Sequence, residues 1–295
     1  MKIKIILVCI FFLFVVCVGC GTKKSSSEPN PVWDGIDIDA YCSLGPIQNL
    51  KVQIQKDFTD ADRSIRENIK NGEIQEMIWL LEKSDNAQDK ASAQTLKLEL
   101  TERFTNRPFK ILPNKLGGTL KKYLLDFGDD VYGLFKSSEK IFSWSDGGAE
   151  VAAYKLDQML GTNLVPLTVE RTIDGEKGTI QYFFRNARDG EVGDVHLYSF
   201  GMLQIFDYII GNRDRHIQNI LFLPKLNQVV AIDNGASFKA EMCGDCVQLK
   251  KYLDVYPKLK ERIKLITKEQ VEKELGGLLS ADSIDHLMNN IDKIR

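Results

Sequence analysis

The sequence predicts an α+β protein in which a helical N-terminal extension precedes a strand-rich stretch and then a largely helical one. Three observations carry this. Between about 48 and 105, apolar residues such as Ile74, Met77, Ile78 and Leu81 recur at three- and four-residue steps among polar ones. From about 107 to 190, short apolar runs alternate with glycine and aspartate turns. From about 191 to 295, helical patterning returns, interrupted once by a very polar stretch, 211-GNRDRHIQN-219.

The N-terminus has its own logic. Lys2 and Lys4 precede an unbroken apolar run from Ile5 to Val18, followed by Gly19-Cys20. A basic start, a short apolar stretch and a small residue describe a signal peptide over 1–20. The run is short for a membrane-spanning helix, which needs about 20 apolar residues. The stretch 17-CVGC-20 resembles a bacterial lipobox, with Cys17 where Leu or Val is usual. The expectation is a lipid-anchored protein of the cell envelope, tethered to the membrane through a lipid on Cys20. A plain signal peptide with secretion, or an uncleaved anchor, is the alternative. Residues 21–35 are a polar tether, and 36–106 the helical extension, with a break at Asn86 to Asp89 and no chemistry-bearing pattern.

The next elements follow from local chemistry. The run 112-LPNKLGGTLKKYLLDFGDDVYGLFKSS-138 holds a glycine pair, a strand, the turn Gly128-Asp129-Asp130 and a second strand, which reads as a hairpin. The stretch 147–161 reads as a helix with Ala, Val and Leu on one face, stopped by Gly161. Residues 165–172 and 178–184 read as a strand pair around Asp174-Gly175. A helix is expected from about Leu197 to Ile210, then apolar runs at Ile220–Leu223 and Val229–Ile232 about a proline-containing turn. The tail from about 247 reads as helical, its last helix capped by Ser283 or Ser280.

Composition narrows the function. Hydrophobic residues are 43% and charged residues 27%, a globular balance, and a net charge of −2 gives no electrostatic case for nucleic acid. Of six cysteines, Cys9, Cys17 and Cys20 belong to the signal region, leaving Cys42, Cys243 and Cys246. The pair in 243-CGDC-246 suits a local disulfide in an oxidising compartment. Zinc is disfavoured, because there is no second C-x-x-C and the three histidines are scattered.

The chemistry-bearing pattern begins in the polar stretch. Asp214 is followed by Asn219, and then, after a short apolar run, by Asp233 in 230-VAIDNGASF-238. Phosphoryl-transfer loops space a catalytic Asp and a metal-binding Asn in this way and follow them with a metal-binding Asp. One carboxylate takes the proton of the attacking hydroxyl. An amide oxygen and the second carboxylate hold divalent metal on the phosphates. Upstream, Lys136 near the end of a strand can reach phosphates. Glu150 near a helix start can pair with that lysine or help hold metal. The Gly117-Gly118 turn can bring backbone N–H groups close to phosphate. Each feature alone has an ordinary explanation, such as a solvated strand-edge lysine, a surface glutamate, a hairpin turn, an aspartate holding Arg213 or Arg215, or a histidine ordering its loop. Together they occur in one order and at one spacing.

In these blocks the chain resembles the atypical secretory-pathway kinases of the Golgi casein kinase and four-jointed type. The resemblance covers about 113–295 and rests on 117-GGTLKKYLLDF-127, 133-GLFK-136, 149-AEVAAYKLDQMLG-161, 205-IFDYIIGNRDRH-216 and 232-IDNGASF-238. It implies a two-lobed, protein-kinase-like fold, with the N-lobe at about 107–190 and the C-lobe at about 191–295. It implies ATP with Mn2+ or Mg2+, and a protein or glycan hydroxyl as acceptor. By resemblance Asp214 is the catalytic base, Asp233 binds metal, Lys122 and Lys136 contact nucleotide phosphates, and Glu150 lies beside the metal. Leu120 stands where the family has a nucleotide-contacting glutamine. Asn219 is closer to ordinary kinases and to phosphoinositide kinases, whose loop also reads D-R-H-x-x-N. A lipid or small-molecule kinase, a pseudokinase and a nucleotidyl transferase are the alternatives.

Overall fold

The computed structural model describes residues 73–113, 122–138, 147–189, 197–239, 241–242 and 247–295. The expected signal peptide, Cys20, the tether, the extension before residue 73, Gly117-Gly118 and the 243-CGDC-246 pair lie outside the described residues. Among the described residues, no helix is long and apolar enough to cross a membrane.

Two helices open the described chain, α1 (Ile74–Lys83) and α2 (Ala87–Asn106). The break falls earlier than expected, at residues 84–86: Asn86 is the N-cap of α2, its Oδ1 accepting the Gln88 N–H at 2.8 Å, and Ala87 to Asp89 already belong to the helix. Strands β1 (Lys110–Leu112), β2 (Lys122–Asp126), β3 (Tyr132–Ser137), β4 (Thr168–Ile173) and β5 (Glu176–Tyr182) form an antiparallel sheet in the order β1-β2-β3-β5-β4. β1 was not apparent in the sequence, because three residues are too few to show a period.

Strand periodicity divides this sheet into two faces. Leu125, Phe135, Ile180 and Tyr182 are buried on one face, beneath Ile78, Trp79, Leu100 and Phe104 of α1 and α2. Lys122 and Lys136 fall on the other face, directly opposite one another in the β2–β3 register.

Helix α3 (Gly147–Leu160) follows β3 in sequence and places Ala149, Ala152, Ala153, Leu156 and Leu160 in the C-lobe core. That three- and four-residue spacing is the apolar stripe of a packed helix. Gly161 stops it with φ +60. The C-lobe then runs through α4 (Leu197–Ile210), β7 (Ile220–Leu223), β8 (Gln228–Ala231), α5 (Val247–Leu253), α6 (Pro257–Leu265), α7 (Lys268–Leu275) and α8 (Ala281–Ile294). A short strand, β6 (Arg188–Asp189), joins β7 and β8 in a small sheet. Of the two serines considered for the last cap, Ser280 fills the position, its Oγ accepting the Ser283 N–H at 3.2 Å.

The placement of Lys136 depends on close strand packing at Gly178, which lies opposite Ser137. A Cβ at Gly178 would stand 2.4 Å from the Lys136 carbonyl oxygen and 2.4 Å from the Phe135 ring. Gly178→Ala must therefore force β3 and β5 apart, at a cost of about 1–3 kcal/mol. The expected readout is a lower urea midpoint at unchanged slope.

Candidate active site

Lys136 is the centre of the candidate site. Its Nζ lies 2.9 Å from Glu150 Oε1 and 3.4 Å from Asp233 Oδ1. The three residues come from β3, α3 and the loop after β8, so one ammonium joins the two lobes. Burial works to lower the Lys136 pKa, but the charges of Glu150 and Asp233, with hydrogen bonds to both, outweigh it and raise it. The same ammonium holds the Asp233 carboxyl below the usual range, against partial burial, and Lys122 adds to the effect. The two lysines thus face one ionised carboxylate, although they lie far from it in sequence.

Glu150 is committed on both oxygens. Oε1 accepts from Lys136, and Oε2 accepts the Asn234 N–H at 3.1 Å. A direct metal bond from Glu150 requires one oxygen to be shared. Asp233 sits at φ +57, a left-handed conformation that aspartate tolerates better than most residues. Farther along, the Phe238 N–H donates to the Ile210 carbonyl at 2.6 Å, tying the loop back to the end of α4.

The polar stretch 211–219 divides by burial. Arg213, Asp214, His216, Ile217 and Gln218 are exposed, whereas Arg215 and Asn219 are buried. Asp214 is held through its backbone: its N–H donates to Asn212 Oδ1 at 2.9 Å, and its carbonyl accepts the His216 N–H at 2.9 Å. Its carboxylate is left on the exposed side of the loop. Asn219 Nδ2 donates to the Asp214 carbonyl at 2.9 Å and meets His216 Nε2 at 3.1 Å. An amide nitrogen can only donate, so Nε2 accepts and the imidazole proton belongs on Nδ1. His216 thus orders the loop, and Asn219 keeps its oxygen, the atom suited to metal, out of both contacts.

Beneath this loop lies a residue whose role the motif did not reveal. Arg215 has five N–H donors, and each has a partner. Nε and one terminal nitrogen grip Asp207 at 3.0 Å each. The other terminal nitrogen donates to the Asn219 carbonyl at 2.8 Å and to the Ile232 carbonyl. The fifth N–H goes to Asn234 Oδ1. The sequence reading allowed Asp214 to hold Arg215; the structure gives that place to Asp207 and leaves Asp214 exposed. The available signal was Asp207 itself, the one acid in the apolar run 197-LYSFGMLQIFDYII-210, since a buried acid needs a partner.

The donor set fits a hard divalent cation. Asp233 is ionised, Asn219 offers an amide oxygen, and oxygen ligands suit Mg2+ and Mn2+. Among the described residues, no group of three or more His, Cys, Asp or Glu could hold a metal by itself. Mg2+ ordinarily binds through one or two carboxylates completed by substrate phosphates, so this spare set suits metal delivered with a nucleotide.

Arg215→Met removes the partner of a buried carboxylate, and breaking such a pair costs about 3–5 kcal/mol. The variant should unfold at clearly lower denaturant. Arg215→Lys, which keeps the charge but loses the planar fork, should recover only part of the loss.

A model of the phosphatidylinositol 3- and 4-kinase family matches residues 135–259, the stretch from β3 through α6 that contains Lys136, Glu150, Asp214, Asn219 and Asp233. No curated protein sequence matches the chain. Among solved structures, the chain is similar to a Golgi casein kinase, at 15% identity and a TM-score of 0.50, over 92% of each chain. It is also similar to the Golgi casein kinase with Mn/ADP bound, at 14% identity and a TM-score of 0.50, over 92% of this chain and 91% of that one. The Helicobacter pylori proinflammatory kinase CtkA matches at 15% identity and a TM-score of 0.43, over 65% of this chain and 93% of that one. The α+β fold of this chain is kinase-like and similar to that of the Golgi casein kinase, as the motif resemblance implied.

Proposed function

We propose that the chain is an exported, membrane-tethered atypical kinase that transfers the γ-phosphate of ATP to a hydroxyl of a protein or glycan. The observation that carries this reading is Lys136, 2.9 Å from Glu150 and 3.4 Å from Asp233, beside a loop that leaves Asp214 exposed. In this reading Lys122 and Lys136 neutralise phosphate oxygens, and Glu150 keeps Lys136 extended. Gly117 and Gly118 would cradle phosphate. Asp233 and the Asn219 oxygen, with Glu150 beside them, would hold Mn2+ or Mg2+, which would neutralise charge on the phosphates. The acceptor oxygen forms a bond to the γ-phosphorus as the bond to the bridging oxygen of ADP breaks. Asp214 takes the proton from the acceptor hydroxyl. The protein does little covalent work, so positioning and charge neutralisation supply the rate.

A second reading is a phosphoinositide-like lipid or small-molecule kinase, favoured by the family match over residues 135–259. The two separate by acceptor: labelled phosphate on protein or glycan supports the first, and on lipid the second. The tether rests on the Gly19-Cys20 boundary, and mass spectrometry of the exported protein should find a lipid-modified Cys20. An intact Met1 on a cytosolic protein would remove export from the reading.

The decisive assay uses ATP labelled at the γ- or the α-phosphate, with and without Mn2+. Transfer of the γ-label alone is expected. Transfer of the α-label would make the protein a nucleotidyl transferase, and no transfer would make it a pseudokinase. Asp214→Asn should keep nucleotide binding and lower turnover by about 10²–10⁴-fold, the usual contribution of a general base. Asp233→Ala should also weaken metal-dependent nucleotide binding. Full activity in Asp214→Asn would return the polar stretch to a structural turn.

A further inference from the structure

Helix α1 touches both lobes and the linker between them, the segment 183–187 from β5 to β6. On the N-lobe, Gln75 Oε1 accepts the Leu167 N–H at 2.9 Å, and the Tyr182 hydroxyl donates to Glu76 Oε2 at 3.4 Å. In the linker, Trp79 packs on Phe184 with ring centroids 5.5 Å apart, and the Asn186 amide donates to Glu73. On the C-lobe, Lys225 Nζ reaches both oxygens of Glu73 at 2.7 Å, and Lys83 Nζ reaches Gln228 Oε1 at 2.6 Å. Gln228 donates in turn to the Asn163 carbonyl, ahead of β4. Ile78 and Trp79 share one apolar cluster with Phe135 and Ile180 of the N-lobe sheet and with Leu223 and Val230 of β7 and β8.

We propose that α1 is a splint that fixes the lobes at the angle where Lys136, on one lobe, reaches Asp233, on the other, and that negative charge on Glu76 loosens it. Glu73, Glu76 and Trp79 are then positioning residues for transfer, an inference that rests on the kinase reading. The charge element follows from the surroundings of Glu76. A cavity of ≈ 520 Å³ adjoins the helix, lined by Glu73, Glu76, Arg185, Asn186, Arg188 and Lys225 among others. It gives protons a route to Glu76 without unfolding.

The groups around Glu76 are Glu73 at the N-cap of its helix, Tyr182 at the end of β5, Arg185 and Arg188 in and just after the linker, and Lys225 in the turn after β7. The Glu82–Lys97 pair between α1 and α2 lies about 9 Å farther along the axis. Burial, with the charge of Glu73, pushes the Glu76 carboxyl up from 4.5 to about 7, against its hydrogen bonds and Lys225. A carboxyl whose docked value is raised keeps a proton that the undocked state releases. Docking of α1 is therefore strongest below about pH 4.5, weakens as pH rises toward about 7, and is level above that.

The test is hydrogen exchange on the full-length chain, followed over residues 74–83 at pH 5 and pH 7.5 and corrected for the intrinsic exchange rate. It is run beside calorimetric titration with ATP and Mn2+. In the wild type, protection of this segment should fall over that interval on the order of tenfold to a hundredfold, and ATP affinity should fall with it. Glu76→Gln should hold protection at its low-pH level throughout. Comparison with this variant removes the pH dependence of the nucleotide itself. Trp79→Ala, or Glu73→Gln if that variant fails to fold, should weaken both protection and ATP affinity at either pH. A wild-type pH slope in Glu76→Gln would overturn the role of its charge. Faster exchange in Trp79→Ala or Glu73→Gln with unchanged ATP affinity would overturn the splint. If the wild type itself does not bind ATP, the positioning role falls with the kinase reading, and the exchange slopes still decide whether Glu76 controls α1.

Discussion

The buried guanidinium of Arg215 is the constraint on which the site depends. A charge under the surface is costly unless every donor is matched, and Arg215 meets that requirement by drawing together Asp207 of α4, the Asn219 carbonyl, the Ile232 carbonyl and Asn234. These partners lie in the helix before the polar loop, at the end of that loop, and at and after the end of β8. Each is adjacent to, or part of, the candidate site. Asn234 follows Asp233, and its N–H meets Glu150. Satisfying one buried cation therefore also fixes the register between the exposed carboxylate of Asp214 and the ionised one of Asp233.

Lys136 plays a different part. Its ammonium is shared between Glu150 and Asp233, and this charge contact joins the two lobes. A single shared ammonium at 2.9 and 3.4 Å is a soft link, because an arriving phosphate can compete for it. The firmer joint lies behind the sheet, where α1 and its apolar neighbours span both lobes.

Much of the architecture was readable from local pattern. The hairpin around 128–130, the helix stopped at Gly161, the pair of strands around 174–175 and the C-terminal helices all appear where residue periodicity and turn chemistry put them. The D-x-x-x-x-N spacing located the polar loop because its charged and amide residues lie within a few positions of one another. Local pattern also left gaps. β1 was too short to show, and α1 read as an ordinary amphipathic helix, since nothing within it announces that Glu73 meets Lys225.

The sequence by itself determined the kinds of element, their order, and the charged and amide groups that make up the candidate site, because these depend on near neighbours along the chain. Tertiary structure alone decided which of those groups meet. Lys136 and Asp233 are separated by 97 positions, and Glu73 and Lys225 by 152. Asp207 rather than Asp214 holds Arg215. Such pairings follow from burial, since taking a charge out of water obliges it to find a partner wherever the packed chain places one.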